Sequence, residues 1–456
     1  MSDSLHCFTA YDVRGRIPDE LDVDIARQIA VAFCRQISAE TLVVGRDMRL
    51  SSPELSNAII EALIRIGVNV VDIGLCGTEE MYFAVFEGID DGVGGGIMIT
   101  ASHNPADYNG MKFVRKGARP LSRDSGLLEV ARNAASQTWF QQVMREEHSS
   151  GDHLQVTEKS RYIKHLLDSI DTRILKPLKL VVNAGNGCAG PVLDLLEDSL
   201  PFSFVKIQHD PDGTFPNGVP NPLLPEKRAV TAEAVRTHGA DLGIAWDGDF
   251  DRCFFYDETG RFIEGYYIVG LLGTALLRLH PGATILHDPR LIWNTQQMVS
   301  AAGGRPVMTK TGHAFIKEAM RRENAVYGGE MSAHHYFRDF GFCDSGMLPW
   351  LLVCQLICEQ GLKLSEMVDG MMASFPVSGE INSTVADPDQ VIRRVEEQFA
   401  DGDKDFTDGL SIAFKEYRFN LRKSNTEPVL RLNVETRGDK QLLEDKTAEL
   451  LALIKT

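Results

Sequence analysis

The strongest constraint on this chain is an alternation of two kinds of segment. Short apolar runs of strand length are followed by longer stretches with apolar residues at helical spacing. "LVVG" (42–45) predicts a buried strand and "SSPELSNAIIEALIRIG" a helix. Ser52 is placed as its N-cap, Pro53 at the first helical position and Gly67 as its stop. "VNVVDIG", "EEMYFAVFEG" and "GIMIT" continue as strand, helix and strand. The alternation restarts after the polar stretch "REEHSSGDH" (145–153), and again after the hairpin-like "CFFYDETGRFI". Such repetition predicts three α/β domains with mixed, largely parallel sheets. The tail breaks the rule. Strands "GEINSTV", "LSIAFKEYRFNLR" and "PVLRLNVETRG", with two helices, predict a smaller C-terminal α+β domain. The expected boundaries are 1–148, 149–258, 259–372 and 373–456, and 456 residues suit about three or four cores.

A formal net charge of -17 argues against nucleic acid or an anionic membrane as a partner. It leaves room for an anionic small molecule, because clustered arginines override a global field. The start "MSDSLHCFTAYDVRG" has no apolar core of a signal peptide, and no run of about 18 apolar residues occurs. The eight cysteines form no C-x-x-C pair, and Cys354 and Cys358 stand one helical turn apart, as a core face would place them. Reduced thiols and a cytoplasmic location are expected.

"WDGDFDRC" (246–253) carries the strongest chemical signal. Asp247, Asp249 and Asp251 recur at i, i+2 and i+4 directly after the apolar run "LGIAW". A loop there can converge three carboxylates on a hard cation, Mg²⁺ or Ca²⁺. An EF-hand is excluded, since Arg252 stands where that loop needs glycine and the flanks are strand-like. An acidic solvated turn is the plainer alternative, although both flanks are apolar and Arg252 follows as if a second anion were expected.

Three further stretches are polar where a strand ends. In "TASHNP", Ser102 is either a nucleophile lacking a G-x-S-x-G elbow or a turn serine ahead of Pro105. In "GGEMSAHHYF", Glu330, Ser332 and His334 alternate, so an extended segment would turn all three to one side, suiting sugar hydroxyls or merely forming a polar edge. In "NLRKSNTEPVLRL", Arg422, Ser424, Asn425 and Thr426 make a donor-rich turn fit for phosphate, or a simple hairpin. Tyr11, Arg14, Lys112, Arg290, Gly312 and His313 are lesser candidates. No phosphate loop of the G-x-x-x-x-G-K-[ST] kind occurs, which speaks against a nucleotide-dependent kinase.

Together, "AYDVRG", "TASHNP", "NGMKF", "DGDFDR", "KTGHAFIK", "GGEMSAHH" and "RKSNTEP" resemble the α-D-phosphohexomutases in order and spacing, from about Tyr11 to Arg431. "GEMS" is similar to the phosphomannomutase/phosphoglucomutase branch, and "GEMSAHHYFRDF" resembles its bacterial phosphomannomutases most. The resemblance implies four domains around a central cleft, the last TATA-binding-protein-like and mobile. It implies phosphorylated Ser102 completing one Mg²⁺ site per chain with Asp247, Asp249 and Asp251. Arg14 and Arg252 would stabilise the transferring group, with His103 or Lys112 as acid/base. Tyr11, Arg290, Gly312, His313, Glu330, Ser332, His334, Arg422, Ser424, Asn425 and Thr426 would bind substrate. The implied reaction converts mannose 6-phosphate to mannose 1-phosphate through mannose 1,6-bisphosphate, feeding GDP-mannose synthesis with no obligatory protein partner. A phosphoglucomutase or dual-specificity enzyme is the alternative; a sugar-phosphate phosphatase or a silent phosphosugar-binding paralogue would fit less well. Asp288-Pro289-Arg290 departs from the family's "D-x-K", since Arg lacks lysine's shape and titratability.

Overall fold

The computed structural model describes residues 6–88, 91–423 and 429–455. The chain forms two compact units: Met1–Phe262 with Asp339–Glu359, and Ile263–Arg338 with Gln360–Thr456.

Two mixed sheets build the first unit. One runs in the order Val13–Arg16, Tyr108–Arg115, Gly95–Ile99, Thr41–Arg46, Asn69–Leu75, His153–Gln155. Its first two junctions are antiparallel and the remaining three parallel. The strand Gly95–Ile99 is buried along its whole length, as an unbroken apolar run requires. The helix Ser52–Arg65 corrects one expectation: Ser52 is inside the helix, and Ser51 holds the cap without a side-chain bond. The Ser52 hydroxyl is committed elsewhere. It donates to Asp47 at 2.6 Å and accepts from Asn109 Nδ2 at 2.9 Å.

The other sheet orders Phe262–Ile263, Cys253–Tyr256, Leu242–Trp246, Lys179–Asn183 and Ser203–Ile207. From Lys179–Asn183 the chain passes through the helix Gly190–Glu197 to Ser203–Ile207 on one side. It then returns through Ala229–His238 to Leu242–Trp246 on the other side. Strand order therefore reverses beside the carboxyl end of Leu242–Trp246, where open α/β sheets place ligands. All five residues of that strand are buried. Leu242 and Ile244 alone contribute about 1.5–3 kcal/mol each, enough to fix where the following loop starts. The helix Met347–Gln360 belongs to this unit and buries Cys354 and Cys358 one turn apart.

In the second unit, Arg305–Met308, Thr284–His287 and Tyr327–Gly329 run parallel, and His335–Phe337 returns antiparallel to Tyr327–Gly329. The C-terminal sheet is antiparallel at the Ile381–Thr384, Val429–Thr436, Tyr417–Lys423, Leu410–Ala413 and Asp403–Asp405 junctions. Val391, Val395, Leu450 and Ile454 of two helices pack with its apolar side chains in one core. Buried Arg418 and Glu435 of this sheet grip the loop after Thr284–His287. Arg418 donates to the Pro289 and Arg290 carbonyls, and Glu435 accepts from the Ile292 and Trp293 amides. Among the described residues no helix is long and apolar enough to cross a membrane.

Candidate active site

The strand Leu242–Trp246 delivers Asp247, Asp249 and Asp251 as a loop, each carboxylate buried. One oxygen from each lies within 4.8 Å of the others. Asp247 Oδ2 accepts from Arg252 Nε at 2.9 Å and Nη2 at 2.7 Å. Asp249 Oδ2 accepts from Lys112 Nζ at 2.8 Å, and also from the Thr78 hydroxyl. Lys112 reaches Asp251 Oδ2 at 2.5 Å. Burial pushes the Asp247 carboxyl up to about 6, and the Asp251 and Asp249 charges add to this against the pull of Arg252. Burial disfavours the Lys112 ammonium, but Asp249 and Asp251 outweigh it and hold its pKa above the usual lysine range.

The donor set fits a divalent cation. The Oδ1 atoms of Asp247 and Asp249 are buried and have no hydrogen-bond partner among the described residues, a costly arrangement that a hard cation removes.

Ser102 lies just beyond the strand Gly95–Ile99 and is 5% exposed. Its Oγ donates to Asp247 Oδ2 at 2.8 Å, stands 3.1 Å from His103 Nδ1 and is 3.5 Å from Arg252 Nη2. Its φ is +48°, a left-handed conformation that a serine adopts at some cost. Arg49 stabilises this loop. Its Nη1 donates to the carbonyls of Pro105 and Tyr108 at 2.7 and 2.8 Å. Its Nη2 donates to those of Ser102 and Asn104 at 2.9 and 2.7 Å. Gly248 completes the fit, since a Cβ there would come within 2.8 Å of the Ser102 carbonyl oxygen.

Arg252 Nη2 also contacts His103 Nδ1. A guanidinium can only donate, so that nitrogen is assigned as the acceptor and the ring as neutral. Arg14, on the strand Val13–Arg16, donates to the Thr100 carbonyl and pairs with Asp12 at 3.1 Å. Tyr11 is half-buried three residues earlier. Arg49 and Thr78 join these residues without having been anticipated from the sequence. Arg49 reaches the Ser102 carbonyl across 53 positions of chain and Thr78 reaches Asp249 across 171, and no local pattern marks either contact.

In the second unit the expectation for Glu330, Ser332 and His334 is corrected in its cause. Residues 331–333 form a turn, not an extended strand: Ala333 has φ +71°, and its amide donates to the Glu330 carbonyl at 3.0 Å. The turn brings the three together all the same. His334 Nδ1 is 3.2 Å from Glu330 Oε2 and 3.5 Å from Ser332 Oγ. Burial raises the Glu330 pKa, but His334 and Arg290 outweigh it and hold the carboxyl well below its usual range. Glu330 Oε1 also accepts from the Gly312 amide at 3.1 Å, at the start of the helix His313–Glu323. His313 opens that helix and is half-buried.

Arg290 is buried at the centre of this group. Its Nη2 donates to Asp288 Oδ2 at 2.7 Å and Ser332 Oγ at 3.1 Å, and lies 3.5 Å from Glu330 Oε1. Arg422, on the strand Tyr417–Lys423, donates to Glu380 at 3.2 Å. Ser424, Asn425 and Thr426 lie outside the described residues.

Comparison with known proteins finds relatives along the whole chain. Models of phosphoglucomutase/phosphomannomutase α/β/α domains I, II and III match residues 6–138, 160–260 and 264–375, and that of the C-terminal domain matches 380–453. A phosphomannomutase of Salmonella montevideo is 58% identical over 459 residues, covering 99% of both chains. A relative named phosphohexose mutases, from Xanthomonas campestris, is 56% identical over 454 residues, covering 99% of this chain and 100% of that one. The crystal structure of a phosphoglucomutase/phosphomannomutase family protein from Burkholderia thailandensis superposes with a TM-score of 0.87 at 32% identity, covering 98% of this chain and 97% of the other. The chain is a phosphomutase and belongs to the phosphoglucomutase/phosphomannomutase family.

Proposed function

We propose that the protein is a phosphomannomutase that interconverts mannose 6-phosphate and mannose 1-phosphate, with Ser102 as the phosphate carrier. The observation that carries this reading is the 2.8 Å approach of Ser102 Oγ to Asp247, within the three-carboxylate loop. A Mg²⁺ ion, one per chain, held by Asp247, Asp249, Asp251 and an oxygen of phosphorylated Ser102, would supply charge neutralisation for the transferring group.

This chain's residues account for the remainder. The sugar O1 hydroxyl attacks the phosphorus on Ser102: the P–O1 bond forms, the Ser102 Oγ–P bond breaks, and the hydroxyl proton passes to a base. His103 Nδ1, 3.1 Å from Ser102 Oγ, stands beside the oxygen that leaves and later takes phosphate back, and is placed to exchange a proton with that oxygen rather than with O1. Lys112 balances Asp249 and Asp251, which leaves it less suited to acid/base work. The 1,6-bisphosphate then presents its other phosphate. Ser102 Oγ takes that phosphoryl group, O6 recovers a proton, and mannose 1-phosphate leaves. Arg252 and Arg14 serve the transferring phosphoryl oxygens, with Tyr11 beside them. Glu330, Ser332 and His334 bind sugar hydroxyls, supported by Arg290, Gly312 and His313. Arg422 with Ser424, Asn425 and Thr426 holds the non-reacting phosphate. The partition 1–148, 149–258, 259–372 and 373–456, each part contributing one such loop, belongs to this reading. So does a cytoplasmic role in GDP-mannose supply.

Phosphorus NMR tests the reading, with mannose 6-phosphate, Mg²⁺ and a trace of sugar 1,6-bisphosphate. Mannose 1-phosphate is expected; free phosphate alone, or no change, would sink it. Ser102→Ala should lose on the order of 10⁵-fold in turnover and take up no label from bisphosphate. The description of the matching family models, phosphoglucomutase/phosphomannomutase, supports one second reading, activity on glucose phosphates as well. Comparing kcat/KM for mannose 1-phosphate and glucose 1-phosphate decides between them.

A further inference from the structure

Asp247, Asp249 and Asp251 are buried and converge on one point, where like charges repel. The loop that bears them is seated between two walls. One is the start of the helix Thr78–Glu87. The Thr78 amide donates to the Asp249 carbonyl at 3.0 Å, and its hydroxyl donates to Asp249 Oδ2. Gly77, just before, lies so near Phe250 that a Cβ there would come within 2.0 Å of the ring. The other wall is the turn that opens the helix Met347–Gln360. The Trp246 indole donates to the Gly346 carbonyl at 2.8 Å, and a Cβ on Gly346 would come within 2.3 Å of the Phe250 carbonyl oxygen. Trp246 and Phe250 bracket Asp247 and Asp249 in the chain, and both are fully buried. Glu79 joins the walls. It neighbours Thr78 on the first helix and is itself fully buried. Its Oε1 accepts from the Tyr162 hydroxyl at 2.5 Å and the Ser345 hydroxyl at 3.0 Å. Its Oε2 accepts from the Met347 amide at 3.1 Å and from the Gly346 amide. Burial pushes the Glu79 carboxyl up to about 8, and these four hydrogen bonds oppose the shift.

A helix is ordinarily capped by the residue just before it, and Ser345 already does this. Its hydroxyl accepts from the Met347 and Leu348 amides at 3.2 and 3.0 Å. Glu79 comes from 267 positions away to meet the Gly346 amide, and a buried carboxyl is a costly group to bring. What it adds beyond the cap is a tie from one wall to the other. We propose that Glu79 is a positioning residue for the cation site: it fastens the Ser345–Met347 turn to the helix that bears Thr78, and so holds the loop of Asp247 and Asp249 closed from both sides. The consequence for turnover rests on the phosphomutase reading above; the consequence for cation binding rests on the carboxylate loop alone.

Calorimetric titration with Mg²⁺, run well below each melting temperature, tests this without substrate. Glu79→Ala removes the tie and should weaken Mg²⁺ binding by about tenfold or more, as loss of a group that orients metal ligands does. Glu79→Gln keeps an oxygen for the two amides and donors for the two hydroxyls, so its affinity should stay within about threefold of the unaltered chain. In kinetics, Glu79→Ala should lower kcat by about tenfold or more and change KM for mannose 1-phosphate less. A merely structural role predicts a lower melting temperature with Mg²⁺ affinity and kcat intact, and that result overturns the inference. A glutamine variant as weak as the alanine one overturns it too, since the tie needs hydrogen bonds and not charge. If the unaltered chain binds Mg²⁺ but turns over no sugar phosphate, the functional reading falls, while the titration still decides the role of Glu79. If it binds no Mg²⁺, the proposal falls as well. Should Glu79→Ala fail to fold, Glu79→Asp, one methylene short of the turn, carries the test. Its Mg²⁺ affinity should drop by about threefold or more, and an unaltered affinity would refute the proposal.

Discussion

The guanidinium of Arg49 holds the main chain of Ser102 in place: its Nη2 donates to the Ser102 carbonyl at 2.9 Å, and the same group binds three further carbonyls of that loop. A lysine at 49 cannot reproduce a planar fork that serves four acceptors. Arg49→Lys should lower kcat by about 10²-fold through misplacement of Ser102, with a lower melting temperature. Steady-state kinetics and a thermal melt check both, and an unaltered kcat would show that the loop holds its shape without the clamp.

Gly248 meets the same loop from the other side. Gly248→Ala would set a methyl group against the Ser102 carbonyl, where the contact is backbone and cannot rotate away. A stability cost of about 1–3 kcal/mol is expected, with a fall in turnover on the order of 10²-fold. Denaturant unfolding and kcat measure these, and a variant as active as its parent would mean that the two loops need not be this close.

The carboxylate loop predicts a defined response to cation. Chelation should abolish turnover and Mg²⁺ should restore it. At about one hundred times its dissociation constant, Mg²⁺ should stabilise the protein by about 2.7 kcal/mol. Asp249→Asn should lose that increment, read as a Mg²⁺-dependent melting shift that needs no substrate. A variant retaining the full shift would remove Asp249 from the ligand set.

His335 supplies the pH prediction. Burial pushes its pKa down to about 3, with the neighbouring His334 acting the same way and Glu330 against them. The Tyr327 hydroxyl faces its Nδ1 at 2.6 Å. A depressed folded-state pKa means that the stability His335 contributes is present above its unfolded value, near 6.5, and is lost as pH falls from there towards 3. The loss at pH 5 relative to pH 7 should be about 2 kcal/mol. His335→Asn cannot take up this proton, so its stability should fall less steeply over that interval. Parallel slopes for the two proteins would refute the assignment.

The sequence discloses what local pattern controls. Apolar runs ending in "TASHNP" and "DGDFDR" place Ser102 and Asp247 at strand ends, and the structure keeps both there. The eye fails where a side chain answers to a remote partner. Ser52 looks like a cap because serine before proline often is one, but Asp47 claims its hydroxyl. Glu330, Ser332 and His334 alternate as a strand would, yet the left-handed Ala333 turns them together by another route. Glu380 has nothing near it in sequence to show that arginines 290, 422 and 431 will surround it. Alternation reads the backbone well, whereas counter-ions across a sheet are invisible to it.

The eight cysteines are all free and all buried, and burial pushes the thiols of Cys76, Cys188, Cys253 and Cys354 well above their ordinary values. Thiolate is the reactive form, so native thiols of this kind should ignore maleimides. The unaltered chain is in effect already a cysteine-silent background. One surface cysteine introduced into each compact unit would accept a fluorophore pair without removal of any native cysteine. Energy transfer between the labels could then follow whether the units change separation as phosphosugar is added.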